Sequence, residues 1–398
     1  MGGLDEPPVG PRNASATEMP AEPFQIQIEQ AVLDDLQSRL LDARPRSHHD
    51  VGWSLGTNTT YLGELVAYWE THYKWRAHEA SLNQFPQFRS NGLHFIHAMG
   101  RSSRAIPLLL LHGWPDSFYR FHKAIPLLIN AGFDVVVPSL PGFAFSGSVE
   151  LPVQQPNRHS AELLWKLMTE TLGYRRFAVA GGDGGGVLAQ LLAIDHPDSI
   201  IGVHLTDLGW HVSNVDPSTL SRAEHRYLEA SKKTFAADGA YAMVQSTRPC
   251  SLAPALSDSP IGLASWIIDR FHAWSDCHGD VENSFSKDEL LTNIMLYWVT
   301  NTIGSSMFSY FADRRSPSLT TIDRVRRPVA VTLFPRDIGG VPPRELAERT
   351  LEVTHWTVMP RGGHFAALEE PDLYARDVRD FFVRSLARKE SRHDHPAL

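Results

Sequence analysis

One short turn constrains the fold of this chain more than any other feature of its sequence. An apolar strand signal leads into small residues that flank one acidic residue, Asp183, and a helical pattern begins at Val187; residues 176–186 read RFAVAGGDGGG. Small residues allow a sharp strand-to-helix turn, which lifts one side chain above a sheet and aims the next backbone N–H groups at it. The alternative is a flexible or phosphate-binding loop, but a central acidic residue would repel phosphate at a helix N-terminus.

The central residue of this turn indicates the type of chemistry. The turn has the layout of the nucleophile elbow of α/β-hydrolases, G-x-S-x-G, with Asp183 in the place of the serine. A carboxylate that attacks carbon forms an alkyl ester, which water cleaves in a second step. We therefore predict displacement at an sp³ carbon rather than acyl transfer.

Composition favours a soluble, cytoplasmic enzyme. The chain has 398 residues, of which 42% are hydrophobic, and a net charge of -8 without a long basic run, so nucleic acid is not an expected partner. The two cysteines, Cys250 and Cys277, fit a reduced protein better than a disulfide framework. The N-terminus lacks a signal-peptide pattern, and no apolar run is long enough to anchor the chain in a membrane.

Strand and helix signals alternate along much of the chain, which predicts an α/β fold with a mostly parallel central sheet, a helical cap and an N-terminal extension. Residues 24–28 alternate apolar and polar, which predicts a strand, and a leucine stripe predicts a helix that ends at Pro45. The predicted division is a disordered N-terminus (1–22), an N-terminal module (23–89), a first core part (90–212), a helical cap (213–320), a second core part (321–386) and a tail (387–398).

The other catalytic groups of an α/β-hydrolase follow the nucleophile in the order acid, then histidine. His364 lies in RGGHFAALE after the last strand signal, and Asp337 lies in LFPRDIGG just beyond the preceding strand. We predict that Asp337 orients the imidazole of His364 and stabilises its protonated form. Asp207, which follows the strand signal at 202–206, is an alternative for this acid.

An oxyanion site is predicted at residues 112–115, which read HGWP after the strand that ends at Leu111. The N–H groups of Trp114 and Gly184 are expected to point at the carbonyl oxygen of the ester during its hydrolysis. The Trp114–Pro115 bond is a candidate for the cis form. No C-x-x-C or H-E-x-x-H motif is present, so neither a metal nor another cofactor is expected.

Taken together, HGWP, GGDGGG, FPRDIGG and RGGHFAALEEP resemble the microsomal-type epoxide hydrolases of the α/β-hydrolase superfamily. The resemblance extends over residues 23–385, and residues 52–88 are similar to the N-terminal module of that family. It implies hydrolysis of an epoxide to a vicinal diol through an ester on Asp183, with the epoxide and water as the only small-molecule partners. Gly184 stands where haloalkane dehalogenases hold halide with a tryptophan, which argues against dehalogenation. The resemblance leaves a homodimer open.

The same resemblance implies that Tyr241 and Tyr310 are two cap tyrosines whose phenols bind the epoxide oxygen and supply a proton as negative charge develops on it. Tyr297, on the preceding helical pattern, is an alternative to Tyr310. The cap is rich in aromatic residues, which favours an apolar or aromatic substrate: Trp266, Phe271, Trp274 and Trp298.

Two other functions stay open at this point, a different Asp-nucleophile hydrolase such as a dehalogenase and a non-catalytic ligand-binding protein on the same fold. The sequence does not choose between a detoxifying and a biosynthetic role.

Overall fold

The computed structural model describes residues 20–44, 51–148, 155–209, 215–319 and 323–384. The predicted tail and nearly all of the predicted disordered N-terminus lie outside these residues, as does Pro45, where the first helix was expected to end. The boundary after residue 22 is wrong, because Glu22 already belongs to the first strand.

A single nine-stranded sheet forms the centre of the described chain, in the order β1-β2-β3-β5-β4-β6-β7-β8-β9. The pairs along β1, β2, β3 and β5 are antiparallel, whereas all pairs from β5 through β4 to β9 are parallel. The predicted α/β-hydrolase fold with a mostly parallel sheet is confirmed. The strands are β1 (Glu22–Phe24), β2 (Gln87–Ser90), β3 (Leu93–Ala98), β4 (Ile106–Leu111), β5 (Phe133–Pro138), β6 (Phe177–Gly181), β7 (Ile200–Leu205), β8 (Val325–Leu333) and β9 (Leu351–Val358).

Helices cover the sheet and form most of the segment between β7 and β8. No helix of the described segments combines the length and the apolar character that crossing a bilayer demands. The α-helices are α1 (Gln30–Leu41), α2 (Thr59–Thr71), α3 (Trp75–Leu82), α4 (Ala124–Asn130), α5 (Pro156–Lys166), α6 (Gly184–Asp195), α7 (Arg222–Asp238), α8 (Ala240–Thr247), α9 (Pro249–Asp258), α10 (Pro260–Trp274), α11 (Lys287–Thr300), α12 (Ile303–Ser306), α13 (Phe308–Arg315), α14 (Arg344–Glu348), α15 (Ala366–Glu369) and α16 (Pro371–Arg379).

The strand predicted at residues 24–28 is largely wrong, because only its first residue belongs to β1. After β1, backbone N–H groups donate hydrogen bonds to side chains instead of to a neighbouring strand. The N–H of Ile26 donates to Asn83 Oδ1 at 2.9 Å, and the N–H of Ile28 donates to Glu79 Oε1 at 2.8 Å. An alternating pattern therefore marks extended backbone here without specifying a strand partner.

The central parallel strands are buried on both faces, which explains why they are nearly continuous apolar runs. Strands β5, β6 and β7 are buried at every position. Because parallel strands point the same way, the loops after β4, β6, β7, β8 and β9 meet at one edge of the sheet. These five loops carry His112–Pro115, Asp183, Asp207, Asp337 and His364.

The seven cap helices, α7 to α13, lie between β7 and β8 in the chain. Helix α11 is hydrogen-bonded to the loop after β4 at three points. Asn293 Nδ2 donates to the Pro115 carbonyl at 2.8 Å, and Ser117 Oγ donates to Asn293 Oδ1 at 3.0 Å. The Tyr297 hydroxyl donates to the Asp116 carbonyl at 2.7 Å. The division of the chain into modules stays a prediction, but this contact joins the cap segment directly to the core.

Close approach between α6 and β4 requires a glycine at the start of the helix. A Cβ on Gly185 would lie 2.1 Å from the carbonyl oxygen of Leu111, whereas a Cβ on Gly184 would have no atom nearer than 3.9 Å. The backbone of the turn is therefore packed directly against the neighbouring strand at Gly185, whereas the preceding Gly184 has room for a side chain.

We expect Gly185→Ala to destabilise the protein by about 1–3 kcal/mol, because the added methyl group would clash with the carbonyl oxygen of Leu111. Gly184→Ala is the matched control, with the same chemical change one residue earlier, and is expected to cost much less. Urea unfolding followed by circular dichroism measures both. Equal loss of stability in the two variants would contradict the packing described here.

Candidate active site

Asp183 adopts a backbone conformation that is unusual for a residue with a side chain. Its φ is 54° and its ψ is −133°, and it immediately precedes the first residue of α6. Such conformations are unfavourable outside glycine and persist only where the surroundings enforce them. Here the N–H of Asp183 donates to Asp207 Oδ2 at 2.5 Å. The carboxylate after β7 thus holds the turn after β6 in place.

Two backbone N–H groups converge on one oxygen of the Asp183 carboxylate. Oδ1 accepts hydrogen bonds from Trp114 N–H at 3.0 Å and from Gly184 N–H at 2.5 Å. A Cβ on Gly113 would lie 2.3 Å from this oxygen, so the loop approaches it only because residue 113 has no side chain. The Trp114–Pro115 bond is cis, as predicted. The two expected oxyanion donors lie together, although their role in catalysis stays a prediction.

His364 lies between two carboxylates. Its Nε2 is 3.6 Å from Asp183 Oδ2, and its Nδ1 is 3.3 Å from Asp337 Oδ1. The imidazole is buried, and its Nε2 has no hydrogen-bond partner among the described residues. Burial alone would lower the pKa of His364, but the charges of Asp337 and Asp183 raise it well above its usual value. For Asp183 the directions are reversed: burial alone would raise the pKa of its carboxyl group, but His364 and the two N–H donors lower it below its usual value.

Asp337 and Asp207 occupy different positions around the imidazole. Asp337 faces Nδ1, whereas both oxygens of Asp207 accept backbone N–H groups, from Asp183 at 2.5 Å and from Gly209 at 2.9 Å. Burial, together with the charge of Asp337, raises the pKa of Asp207 to about 6. The geometry supports Asp337 as the partner of His364 and gives Asp207 the different task of fixing the turn.

Two cap tyrosines line the cavity that contains Asp183. Tyr241 stacks on Trp114 with ring centroids 5.3 Å apart, and Tyr310 meets Tyr241 edge-on at 6.2 Å. Burial is the main cause that raises the pKa of both phenols, and the charge of Asp183 adds to it, so both are protonated at neutral pH. The hydroxyl of Tyr297 instead donates a hydrogen bond to the Asp116 carbonyl, and Tyr297 does not line the cavity.

The cavity has a volume of about 230 Å³ and a largely apolar wall. Of the four cap aromatics expected to favour an apolar substrate, only Trp274 lines it. Phe271 stacks on Phe365 in the core, and the Trp298 ring lies against the guanidinium of Arg39. Most of the apolar wall comes from other residues: Leu140, Phe143, Val187, Leu188, Leu208, Leu228, Leu333 and Ile338.

The sequence reasoning missed a buried ion pair that joins two of the active-site loops. Asp116 Oδ1 accepts the N–H of Gly113 at 2.9 Å, and Asp116 Oδ2 pairs with Arg120. The other guanidinium nitrogen of Arg120 donates to the His364 carbonyl. Both side chains are at most 3% exposed. The spacing of an acid and a base four residues apart just after HGWP was the available signal.

Glu369 is a second residue that the sequence reasoning missed. Its carboxylate accepts the backbone N–H groups of Gly363 at 3.1 Å, Phe365 at 2.9 Å and Asp276 at 2.9 Å. Burial raises its pKa to about 7. These contacts hold the residues on both sides of His364. They also connect the histidine loop to Asp276, which lies in the loop between α10 and α11.

Comparison with known protein families identifies two matching regions. Residues 21–121 match the family described as the epoxide hydrolase N terminus, and residues 106–240 match the alpha/beta hydrolase fold. Epoxide hydrolase 1 of Sus scrofa is 32% identical over 416 residues, which cover 94% of this chain and 90% of the relative. Juvenile hormone epoxide hydrolase 2 of Ctenocephalides felis is 33% identical over 392 residues, which cover 89% of this chain and 84% of the relative.

A solved structure shows the same architecture. Aspergillus niger epoxide hydrolase superposes with a TM-score of 0.80 at 29% identity, covering 92% of this chain and 96% of the other.

We expect Asp337→Asn to lower the pKa of His364, because the variant removes the carboxylate that faces Nδ1 and stabilises the imidazolium. Histidine side-chain NMR titration measures this pKa, and loss of the signal in His364→Gln assigns the resonance. Asp207→Asn is the matched control, since it removes a nearby charge that is bonded to backbone N–H groups. A larger fall of the pKa in Asp207→Asn would transfer the acid role to Asp207.

Proposed function

The chain belongs to the epoxide hydrolase family, and we propose that its reaction runs through an ester on Asp183 that water activated by His364 cleaves. The overall reaction adds one water molecule to an epoxide and yields a vicinal diol. The observation that supports the proposal best is the environment of the Asp183 carboxylate: Oδ1 accepts two N–H groups, while Oδ2 faces His364 at 3.6 Å.

In the first step, Asp183 Oδ2 attacks one carbon of the epoxide. The bond between this carbon and the epoxide oxygen breaks, and the electron pair stays on the oxygen. Oδ1 is held by Trp114 and Gly184 and becomes the carbonyl oxygen of the ester. Hydrogen bonds to Oδ1 thus select Oδ2 as the nucleophile, because its electron pairs are less engaged.

The phenols of Tyr241 and Tyr310 serve the other end of the breaking bond. Both line the same cavity as Asp183, and burial keeps both protonated. They donate hydrogen bonds to the epoxide oxygen as negative charge develops on it, and one of them delivers a proton. The oxygen thus becomes the hydroxyl of the neighbouring carbon. Neutral phenols suit this task, since a charged acid in the same apolar cavity would be costly to desolvate.

Ester formation also prepares His364 for the second step. In the free enzyme the imidazole lies between the carboxylates of Asp183 and Asp337, which together raise its pKa. The ester removes the charge of Asp183, so the pKa of His364 falls. The proton that the imidazole releases replaces, by way of solvent, the proton that the phenol gave to the epoxide oxygen. The histidine therefore becomes a base at the stage of the reaction that requires one.

In the second step, His364 Nε2 takes a proton from water as the water oxygen attacks the ester carbonyl. The resulting negative charge lies on Oδ1, where Trp114 and Gly184 donate to it; one such donor contributes about 3 kcal/mol to a transition state of this kind. The bond between the carbonyl carbon and the ester oxygen, the former Oδ2, then breaks. The proton held by His364 passes to that oxygen, which leaves as the second hydroxyl of the diol. The water oxygen remains on Asp183, and the proton of the new carboxyl group passes to His364, which restores both residues.

We expect His364→Gln to be alkylated once and to accumulate an adduct with the mass of enzyme plus epoxide. The variant retains Asp183 and the phenols but lacks the base for ester hydrolysis. Intact-mass spectrometry after mixing with styrene oxide measures the adduct. Asp183→Ala is the control and is expected to form none. An unmodified His364→Gln protein that still binds the epoxide would contradict the assigned role.

We expect Tyr241→Phe and Tyr310→Phe each to slow adduct formation by about ten- to hundredfold, the effect of losing a hydrogen bond to a developing charge. Hydrolysis of a preformed ester should change much less, because the phenols do not contact the ester carbonyl. Rapid-quench measurement separates the two steps. Tyr297→Phe is the control, because its hydroxyl contacts the Asp116 carbonyl rather than the cavity. A slow alkylation step in Tyr297→Phe with a normal one in Tyr310→Phe would exchange the two assignments.

A further inference from the structure

The cavity contains a second group of polar side chains that the two-step reaction does not use. Asn157 and Ser160 lie on α5, and Asp313 lies on α13. All three line the same cavity as Asp183. We call these three residues the Asp313 subsite. A polar group in a largely apolar cavity fixes the orientation and identity of a ligand.

The two carboxylate oxygens of Asp313 differ in their surroundings. Oδ1 accepts Asn157 Nδ2 at 3.1 Å and the N–H of Ser318 at 2.9 Å. Within the described segments, no hydrogen bond reaches Oδ2. The first oxygen therefore holds the side chain in a fixed direction, and the second keeps its capacity to accept a hydrogen bond.

Among the described residues, no lysine or arginine forms an ion pair with Asp313. Three arginines are candidates: two follow Asp313 in the chain, and one lies on α5 beside Asn157. Arg314 donates to Ser246 Oγ at 3.3 Å, and the guanidinium of Arg315 lies 3.4 Å from the centre of the Phe311 ring. Arg158 pairs with Asp195 and, at 3.4 Å, with Asp323. The carboxylate of Asp313 thus lines the cavity without a positive partner among the described residues, and its free oxygen can accept a hydrogen bond from a ligand.

Ser160 provides an independent observation. The residue is 8% exposed and lines the cavity, yet its hydroxyl makes no hydrogen bond to any residue in the described part of the chain. A serine within a helix commonly donates to the carbonyl one turn earlier, and Ser160 does not. A hydroxyl that is accessible at a cavity wall and has no partner in the protein is suited to a polar ligand atom.

The position of the subsite relates it to the reacting end of the cavity. Tyr310 and Asp313 are three residues apart on α13, so they lie on one face of the helix with an axial separation of about 4.5 Å. We propose that the Asp313 subsite binds a hydroxyl or protonated amine carried on a side arm of the epoxide, while Tyr310 binds the epoxide oxygen. The inference rests on the proposed function and narrows its substrate class to epoxides with a hydrogen-bond donor.

A purely structural role for Asp313 makes a different prediction. The bonds to Asn157 and Ser318 join α13 to α5 and to its own C-terminal loop. If that were the whole role, loss of the carboxylate would affect all epoxides alike. If the subsite binds substrate, the loss depends on the side arm, because a site built to accept a donor discriminates strongly against an analogue without one.

The test uses terminal epoxides whose side arms end in a methyl, a hydroxyl or a primary amine, in matched series of three to six carbons. We expect wild-type kcat/KM at one chain length to favour the hydroxyl or amine over the methyl by about ten- to hundredfold. In Asp313→Asn the preference for the amine should fall at least about tenfold, because the amide oxygen takes the two bonds of Oδ1 and an NH2 group faces the side arm. This NH2 group cannot accept a hydrogen bond from an ammonium, but it can donate one to a hydroxyl. Ser160→Ala should reduce the preference for the hydroxyl.

Asp198→Asn is the matched control, because it removes the same charge from a fully exposed position and should leave these ratios unchanged. Thermal unfolding checks that each variant is folded. Equal wild-type kcat/KM for the three side arms, or the same proportional loss for all three in Asp313→Asn, would overturn the subsite. Failure of the wild type to hydrolyse any epoxide would instead count against the proposed function.

Discussion

The hydrogen bond from the Asp183 N–H to Asp207 is the contact on which the active site depends. A residue with a side chain adopts the backbone conformation of Asp183 only under constraint, and a carboxylate at 2.5 Å provides that constraint. The conformation in turn directs one oxygen of Asp183 at two N–H groups and the other at His364. An acid that takes no proton in the reaction thus determines which oxygen of the nucleophile is free to attack.

Buried charge connects the loops that surround this turn. Arg120 is paired with Asp116 and also donates to the carbonyl of His364, so the loop after β4 and the loop after β9 share one cation. Breaking such a pair from one side leaves an unpaired buried charge, which costs several kcal/mol. The histidine loop is held on its other side by Glu369. The imidazole is thereby positioned by backbone contacts at its own residue and at both neighbours.

The sequence predicted those parts of the site that short motifs encode. The turn around Asp183, the HGWP loop and the loop of His364 each follow a parallel strand, and parallel strands bring such loops together whatever their separation along the chain. Contacts between distant segments were not accessible in this way. The bond of Arg120 to His364 spans 244 residues, and no local pattern specifies it. The aromatic content of the cap likewise suggested that Phe271 favours an apolar substrate, but no local pattern indicated that it stacks on Phe365 instead of lining the cavity.

The three hydrogen bonds between α11 and the loop after β4 have a consequence for how such an enzyme diversifies. Asn293 and Tyr297 bind the backbone of the loop that contains Trp114, so a substitution of either residue would disturb a loop of the core. Helices α5 and α13 reach the cavity with Ser160 and Asp313, which make no such contact. New substrate preferences are therefore expected to arise at positions such as Ser160 and Asp313, while Tyr310 on the same helix as Asp313 is kept for the reaction. A cap taken from a relative will function only if its α11 matches the recipient loop.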